Sequence, residues 1–187
     1  KVLVTGHTGF KGSWLVSWLN KLGADVYGFS KDLLPYPSHF HLLGLENKIE
    51  HNLGDIRDQK LISEIIEFIK PDLIFHLAAQ AIVSSSYSDP LETISTNVMG
   101  TANILDCLKN IKHKCATVII TSDKCYENKE WLWGYRETDQ LGGKDIYSSS
   151  KASAELIVRS YLESFFNQDS KQKFRLVEIY IKILKRK

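Results

Sequence analysis

The hydrophobic and polar positions of this 187-residue chain alternate between short apolar runs and helical repeats. Val2–Thr5 is a β-branched run that ends in glycine, and the aromatic residues and leucines after it recur at helical spacing until Gly23. Strands are therefore predicted at residues 2–5 and 24–29, just before Leu53, and at 72–77, 116–121 and 175–183. Helices are predicted over residues 10–22, 61–69, 91–110 and 147–166, with a loop over 30–47 that has room for one helical turn and a second connection over 123–146. This alternation indicates an α/β protein with a doubly wound parallel sheet covered by helices on both faces.

Composition and charge exclude several classes of protein. The chain is 43% hydrophobic and carries 24 Lys and Arg against 22 Asp and Glu, so it is a folded chain without the field that a nucleic-acid polymer would need. No apolar run approaches the roughly 18 to 20 residues that span a bilayer. The three cysteines lack C-x-x-C spacing, the histidines show no metal-ligand spacing, and the chain starts within a strand-like run rather than a signal peptide. We expect a soluble cytoplasmic protein with reduced thiols and no metal.

A glycine-rich segment, T-G-H-T-G-F-K-G, stands between the first predicted strand and the first predicted helix. Gly6 permits a tight turn, Gly9 lets the backbone approach a pyrophosphate, and Gly12 lets the helix pack closely on the strand. The helix N-terminus offers free N–H groups to an anion, and Lys11 adds a cation. The alternative is a glycine-rich turn without a ligand. The strand-turn-helix context favours nucleotide binding and a Rossmann-type fold.

The end of the second predicted strand bears on the choice of cofactor. An acidic residue about 20 positions after such a loop holds the adenosine ribose. Asp32 is suited to bind both ribose hydroxyls, which favours NAD, whereas Lys31 is suited to meet a 2′-phosphate, which favours NADP. Both are also compatible with solvated loop charges. We expect NAD.

A tyrosine and a lysine begin the helix predicted at 147–166. Y-S-S-S-K puts Tyr147 and Lys151 four residues apart, so both side chains leave one face of the helix. A nearby ammonium stabilises a phenolate, which makes Tyr147 a candidate base for removing a hydroxyl proton during hydride transfer. Such a pair is common on surface helices, and the glycine loop earlier in the chain supports its interpretation as part of a hydride-transfer site.

Together these motifs resemble the extended short-chain dehydrogenases/reductases that act on nucleotide sugars. The resemblance rests on the glycine loop, H-L-A-A-Q at 76–80, Asn97, and the pair Tyr147 and Lys151. It extends to the CDP-glucose 4,6-dehydratases in three stretches: V-T-G-H-T-G-F-K-G-S-W-L, T-S-D-K-C-Y-E-N and Y-R-E-T-D-Q-L-G-G-K-D. It covers residues 1 to about 177 and implies an NAD-dependent hydro-lyase of nucleotide-sugar and lipopolysaccharide O-antigen biosynthesis.

The resemblance also implies a chemistry, in which CDP-glucose is oxidised at C4, loses water across C5 and C6, and regains the hydride at C6. Tyr147 would take the C4 hydroxyl proton, with Lys151 beside it holding the nicotinamide ribose. Ser122 would bind the C4 oxygen, and Asp123 and Lys124 would serve the elimination as an acid/base pair. Because plain epimerases need only the Tyr–Lys machinery, Asp123 and Lys124 distinguish a dehydratase. The alternative for these two residues is a short turn with incidental charges.

Further residues acquire roles through the same resemblance. The implied NAD contacts are Gly6, Thr8, Gly9, Phe10, Lys11, Gly12, Asp32, Asp55, Ile56, Leu77, Ala78, Ala79, Tyr147 and Lys151. Asn97 would bridge helix and strand through water or cap local structure. Trp131 and Trp133 are expected either in the sugar pocket or in packing or a partner interface. His76 is expected to be a satisfied core histidine.

The end of the chain departs from the family pattern. These enzymes continue with an arginine-asparagine-glycine loop and a substrate-binding lobe, whereas residues 178–187 read E-I-Y-I-K-I-L-K-R-K. We therefore expect residues 1–187 to form a single NAD-binding domain that carries the Tyr–Lys pair and lacks that lobe. Ile146 and Ser84-Ser85 also replace residues usual in the family. An epimerase, a GDP-mannose-type dehydratase and an inactive dinucleotide-binding module remain alternatives.

The resemblance predicts a homodimer as well. Family members associate through two helices, which correspond here to residues 91–110 and 147–166. Four residues are expected on the faces of these helices that point away from the sheet: Ala102, Leu105, Ala154 and Val158.

Overall fold

The computed structural model describes residues 1–166 and 177–182. Within these residues six strands form one sheet in the order β3-β2-β1-β4-β5-β6, and every neighbouring pair is parallel. The strands are β1 (Val2–Thr5), β2 (Val26–Ser30), β3 (Glu50–Leu53), β4 (Leu73–His76), β5 (Cys115–Ile120) and β6 (Val177–Lys182). The strand order reverses between β1 and β4, which is where ligands bind in such sheets.

Helices cover both faces of this sheet. They are α1 (Phe10–Lys21), α2 (His39–Leu42), α3 (Gln59–Ile69), α4 (Val83–Ser88), α5 (Pro90–Ile94), α6 (Gly100–Leu108) and α7 (Ile146–Tyr161). Short 3₁₀ turns lie at Leu45–Asn47 and Asp123–Cys125, and π-helical turns lie at Ser95–Met99 and Leu162–Phe166. No helix of the described residues combines the length and the apolar character of a membrane span.

Alternate residues of the central strand face two separate cores. Leu3 points into one core, where it packs with Phe29, Ile74 and the isoleucines of α3. Val2 and Val4 point to the other face, where they pack with Val16 of α1. This period of two, with apolar residues on both faces, requires a sheet covered on both sides. The doubly wound α/β fold predicted from the sequence is confirmed.

The predicted strands and helices correspond to observed elements, with differences at their ends. The helix expected at 91–110 is a continuous helical run from Pro90 to Leu108 that contains a π turn. Helix α4 was not predicted, because V-S-S-S-Y-S has no helical apolar repeat and serine is a modest helix former. Its Ser86 is fully buried, so tertiary packing decides this segment. The ends of the strand predicted at 175–183 lie outside the described residues.

One detail of the dimer prediction is wrong. Leu105, Ala154 and Val158 are at most 2% exposed, and Leu105 and Val158 pack together with Ile119 of the sheet. They belong to the core of this chain because α6 and α7 turn these faces inward. The large apolar side chains exposed on Pro90–Leu108 and on α7 are instead Leu91, Ile94, Met99 and Leu156, which are 41–76% exposed.

Candidate active site

A cavity of about 560 Å³ lies at the carboxyl ends of the strands. Each of β1, β2, β3, β4 and β5 contributes its last residue or the loop that follows it. All fourteen residues named above as NAD contacts line this cavity. The other lining residues are Phe29, Ser30, Lys31, Leu34, Gly54, Gln80, Ala81, Glu92, Thr96, Ile120 and Thr121.

The glycine loop forms one wall of the cavity. Gly6 adopts the left-handed conformation, with φ of 73°, and its N–H donates to the carbonyl of Phe29 at 2.8 Å. A Cβ at Gly12 would lie 2.1 Å from the carbonyl oxygen of Gly6, so only glycine fits there. Gly9 is the N-cap of α1, and no side chain caps this helix. The N–H groups of its first turn are therefore left for an anion.

The start of α7 brings Tyr147 and Lys151 into the lining of the same cavity. Asp145 caps this helix by accepting hydrogen bonds from the N–H of Ser148 at 2.9 Å and from its hydroxyl at 2.7 Å. The cap fixes the start of the helix, with Ile146 as its first residue. Tyr147 is 8% exposed and Lys151 7%, and both line the cavity. Both side chains are therefore almost fully buried, and they line the cavity rather than the outer surface.

Lys151 is a buried cation. Burial lowers the pKa of its ammonium to about 8, and the charge of Lys11 acts in the same direction while Glu155 opposes it. Within the described part of the chain the ammonium takes part in no hydrogen bond or salt bridge. A buried ammonium without such partners is costly, and it is suited to hydroxyl or phosphate oxygens of a ligand.

Lys151→Met is expected to stabilise the cofactor-free protein by roughly 1–3 kcal/mol at pH 7, because it removes the desolvated charge. The folded state releases the Lys151 proton near pH 8, whereas the unfolded chain keeps it to about 10.5. Unfolding thus takes up a proton between these values, and the free energy of unfolding rises with pH across this window. Urea denaturation at several pH values measures both effects. Lys144→Met, at an exposed position, is the control, and an equal gain there would contradict the assignment.

Ser122, Asp123 and Lys124 follow β5 directly, next to the lining residue Thr121 but outside the cavity lining. They form a 3₁₀ turn that Ser122 caps, accepting from the N–H of Lys124 at 3.3 Å and donating to Asp123 Oδ1 at 3.1 Å. The turn follows the same sheet edge as the cavity. The structure thus places the three residues beside the Tyr–Lys wall but not within the cavity that the cofactor residues share.

His76 and Thr101 connect strands β1 and β4 to the helical run behind the cavity. Thr101 donates its hydroxyl proton to the carbonyl of Asn97 at 2.8 Å, so it receives the Nε2–H of His76 at 3.2 Å. Nδ1 of His76 then accepts from Thr5 at 2.8 Å. Burial lowers the pKa of His76 to about 3, which keeps the ring neutral. The expectation of a satisfied core histidine is confirmed.

Asn97 lies in the π turn and joins the loop after β4 to α7. Its Oδ1 accepts from the N–H of Gln80 at 2.8 Å, and its Nδ2 donates to the carbonyl of Gln80 and to Ser150 Oγ. Both partners are contacted directly, so the water bridge considered above is not needed. Since Ser150 lies next to Lys151, this contact ties the start of α7 to the loop after β4.

Residues from α5 and from the loop after β4 were missed by sequence reasoning. Glu92 lines the cavity and stands in no recognisable motif, whereas Gln80 lines it as the last residue of the H-L-A-A-Q stretch, to which no cofactor contact was assigned. Glu92 reaches the site by an ion pair with Lys31, 61 positions earlier in the chain. Such a contact between distant segments leaves no local signal in the sequence.

Trp131 and Trp133 stack on each other with ring centroids 5.3 Å apart, in the connection between β5 and α7. Neither lines the cavity, and Trp133 is 61% exposed. Cys107, Cys115 and Cys125 are free thiols, each buried. The described residues hold no cluster of His, Cys, Asp and Glu suited to a metal ion.

Comparison with known proteins shows that the sequence matches one family of enzymes. The family model described as GDP-mannose 4,6 dehydratase matches residues 3–168. The chain is 52% identical over 168 residues to the CDP-glucose 4,6-dehydratase of Salmonella typhimurium, an alignment that covers 89% of this chain and 46% of that protein. It is 32% identical over 178 residues to the dTDP-D-glucose 4,6-dehydratase of Dictyostelium discoideum, covering 88% and 41%. The chain thus spans about half the length of these curated relatives.

Solved structures share the fold. The dTDP-glucose 4,6-dehydratase DesIV of Streptomyces venezuelae, solved with NAD bound, superposes with a TM-score of 0.77 at 26% identity, covering 96% of this chain and 54% of that one. The UDP-glucose 4-epimerase of Brucella ovis, in complex with NAD, gives a TM-score of 0.76 at 26% identity, with coverage of 88% and 48%. Both likenesses cover most of this chain and about half of the solved one.

Proposed function

The chain belongs to the GDP-mannose 4,6 dehydratase family, and from this premise we propose that it is the cofactor-binding and catalytic part of an NAD-dependent CDP-glucose 4,6-dehydratase. The observation that carries the proposal is the one cavity that both the glycine loop and the Tyr147–Lys151 pair line. The CDP-glucose substrate is proposed on the 52% identity to the Salmonella enzyme. Asp123 and Lys124 support dehydration over epimerisation.

The cavity fits NAD at three points. Gly9 offers a wall without a side chain beside the uncapped N-terminus of α1, where a pyrophosphate would lie. Asp32, two residues after β2, is positioned for ribose hydroxyls. Lys151 supplies a buried ammonium for the second ribose. When bound, NAD would accept the hydride from the sugar and later return it.

In this mechanism the residues of the chain move protons and hold the sugar. Tyr147 would take the proton of the C4 hydroxyl, and the charge of Lys151 would stabilise the phenolate that begins the step. Ser122 would donate to the C4 oxygen. Once C4 is a ketone the C5 proton is acidic, and Asp123 and Lys124 would remove it and protonate the departing C6 hydroxyl.

The test is incubation of the protein with CDP-glucose and NAD. The expected product is a 4-keto-6-deoxy sugar nucleotide, detected by its absorbance in alkali and by a mass lower than that of the substrate by one water molecule. A C4 epimer of unchanged mass would instead establish an epimerase. NAD binding without either product would favour the inactive dinucleotide-binding module.

We also propose a homodimer and a cytoplasmic location. The exposed side chains of Leu91, Ile94, Met99 and Leu156 support association through α5, the π turn and α7, since a second copy would cover this apolar surface. The three buried free thiols support a reducing compartment.

A further inference from the structure

A four-membered ion-pair cluster borders the cavity at the ends of β2 and β3. Arg57 binds Asp55 through two hydrogen bonds, Nε to Oδ1 at 2.9 Å and Nη2 to Oδ2 at 2.6 Å. Its remaining nitrogen, Nη1, donates to Glu92 Oε2 of α5 and to Ser95 Oγ at 3.3 Å. Each nitrogen of the guanidinium therefore donates at least one hydrogen bond, and the pKa of Asp55 is lowered to about 2 by this partner.

Lys31 is the fourth member, and it pairs with the same two carboxylates as Arg57. Its ammonium lies 3.2 Å from Glu92 Oε1 and 3.6 Å from Asp55 Oδ2. Lys31, Asp55 and Glu92 all line the cavity, together with Asp32. The two cations and two carboxylates of the cluster cancel, and Asp32 leaves a net charge of about −1 at this end of the cavity.

We propose that Glu92 determines cofactor specificity: it binds the Lys31 ammonium and thereby denies it to the 2′-phosphate of a phosphorylated dinucleotide. The inference rests on the proposed binding of NAD. In folds of this kind the residues just after the second strand face the adenosine ribose, and a cation there accommodates a 2′-phosphate. Lys31 occupies that position, so its pairing decides whether a phosphate of about two negative charges is attracted or repelled.

Glu92, rather than Asp55, is the residue whose charge decides whether the Lys31 ammonium attracts a 2′-phosphate. Asp55 is committed to Arg57 by two side-chain bonds and also accepts from the Arg57 N–H at 2.9 Å. Glu92 bridges the two cations and lies closer to Lys31. Removing its charge would leave Lys31, Arg57 and Asp55 with a net charge of +1 opposite Asp32.

The test compares the dissociation constants of NAD and NADP by isothermal titration calorimetry. The wild type is expected to prefer NAD. Glu92→Gln is expected to lower the NADP-to-NAD ratio of dissociation constants by roughly tenfold, mainly through tighter NADP binding. Glu64→Gln is the matched control, because it removes one exposed carboxylate paired with a lysine on α3 and lies outside the cavity lining. It should leave the ratio unchanged.

A second pair of variants tests whether the gain in NADP affinity depends on Lys31. Lys31→Met alone should change NADP affinity less than about threefold, because Glu92 already neutralises the ammonium, whereas Lys31→Met in the Glu92→Gln protein should abolish the gain. A ratio unchanged by Glu92→Gln, or a gain that survives loss of Lys31, overturns the inference while NAD binding itself stands. Should Glu92→Gln fail to fold, an increase in NADP affinity for Lys31→Met alone would overturn it. Absence of NAD binding by the wild type would instead refute the proposed function.

Discussion

Tyr147→Phe is expected to lower the rate of CDP-glucose dehydration by roughly 10²- to 10⁴-fold, the contribution typical of a general base. The variant deletes one hydroxyl from a side chain that is 8% exposed and lines the cavity at the first turn of α7. The ring and the helix cap at Asp145 remain, so the site keeps its shape. NAD affinity should therefore stay within about threefold of the wild-type value. Steady-state rates and titration calorimetry measure the two quantities.

Tyr161→Phe is the matched control for this change. Tyr161 ends the same helix and donates to Asp106 Oδ1 at 3.4 Å, away from the cavity lining. The same deletion of a hydroxyl there should leave the rate nearly unchanged. Wild-type activity in Tyr147→Phe would remove Tyr147 from the proposed role. A parallel loss of NAD affinity would indicate that the hydroxyl binds the cofactor rather than taking the proton of the C4 hydroxyl.

The parts of the site that local spacing encodes could be predicted from the sequence. The glycine loop lies between a strand and a helix, and Tyr147 and Lys151 lie four residues apart on one helix, so geometry within a few residues places them. The strand-helix alternation then brings these segments to one edge of the sheet. Their meeting around one cavity follows from topology alone.

Features that depend on distant contacts could not be predicted. Lys31 was considered for a 2′-phosphate, and nothing local shows that Glu92 holds it, because α5 approaches β2 only in the folded chain. The face that α1 buries is a similar case. Phe10, Trp14 and Trp18 follow the helical period but are 55–68% exposed, while Val16 is the residue buried against the sheet. Periodicity identifies a helix without showing which face is covered.

The glycine loop allows binding and folding to be separated by the same substitution at two positions. Gly12→Ala places a methyl group 2.1 Å from the Gly6 carbonyl oxygen and 2.8 Å from the His7 Cα, both backbone atoms. The loop must move away from α1, and we expect a loss of about 1–3 kcal/mol or more in the free energy of unfolding. NAD binding should be lost with it. Chemical denaturation and titration calorimetry check both results.

Gly9→Ala is the matched variant that should lose binding without losing stability. Its backbone, with φ of −68° and ψ of 167°, is open to any residue, and its Cβ would meet only the Gly6 carbonyl oxygen, at 3.3 Å. The methyl group would instead occupy the cavity wall where the pyrophosphate is proposed to lie. We expect unfolding free energy within about 0.5 kcal/mol of the wild type and NAD affinity reduced by at least about tenfold. Unchanged NAD affinity in Gly9→Ala would show that the pyrophosphate does not approach this loop, because the variant leaves the rest of the cavity intact.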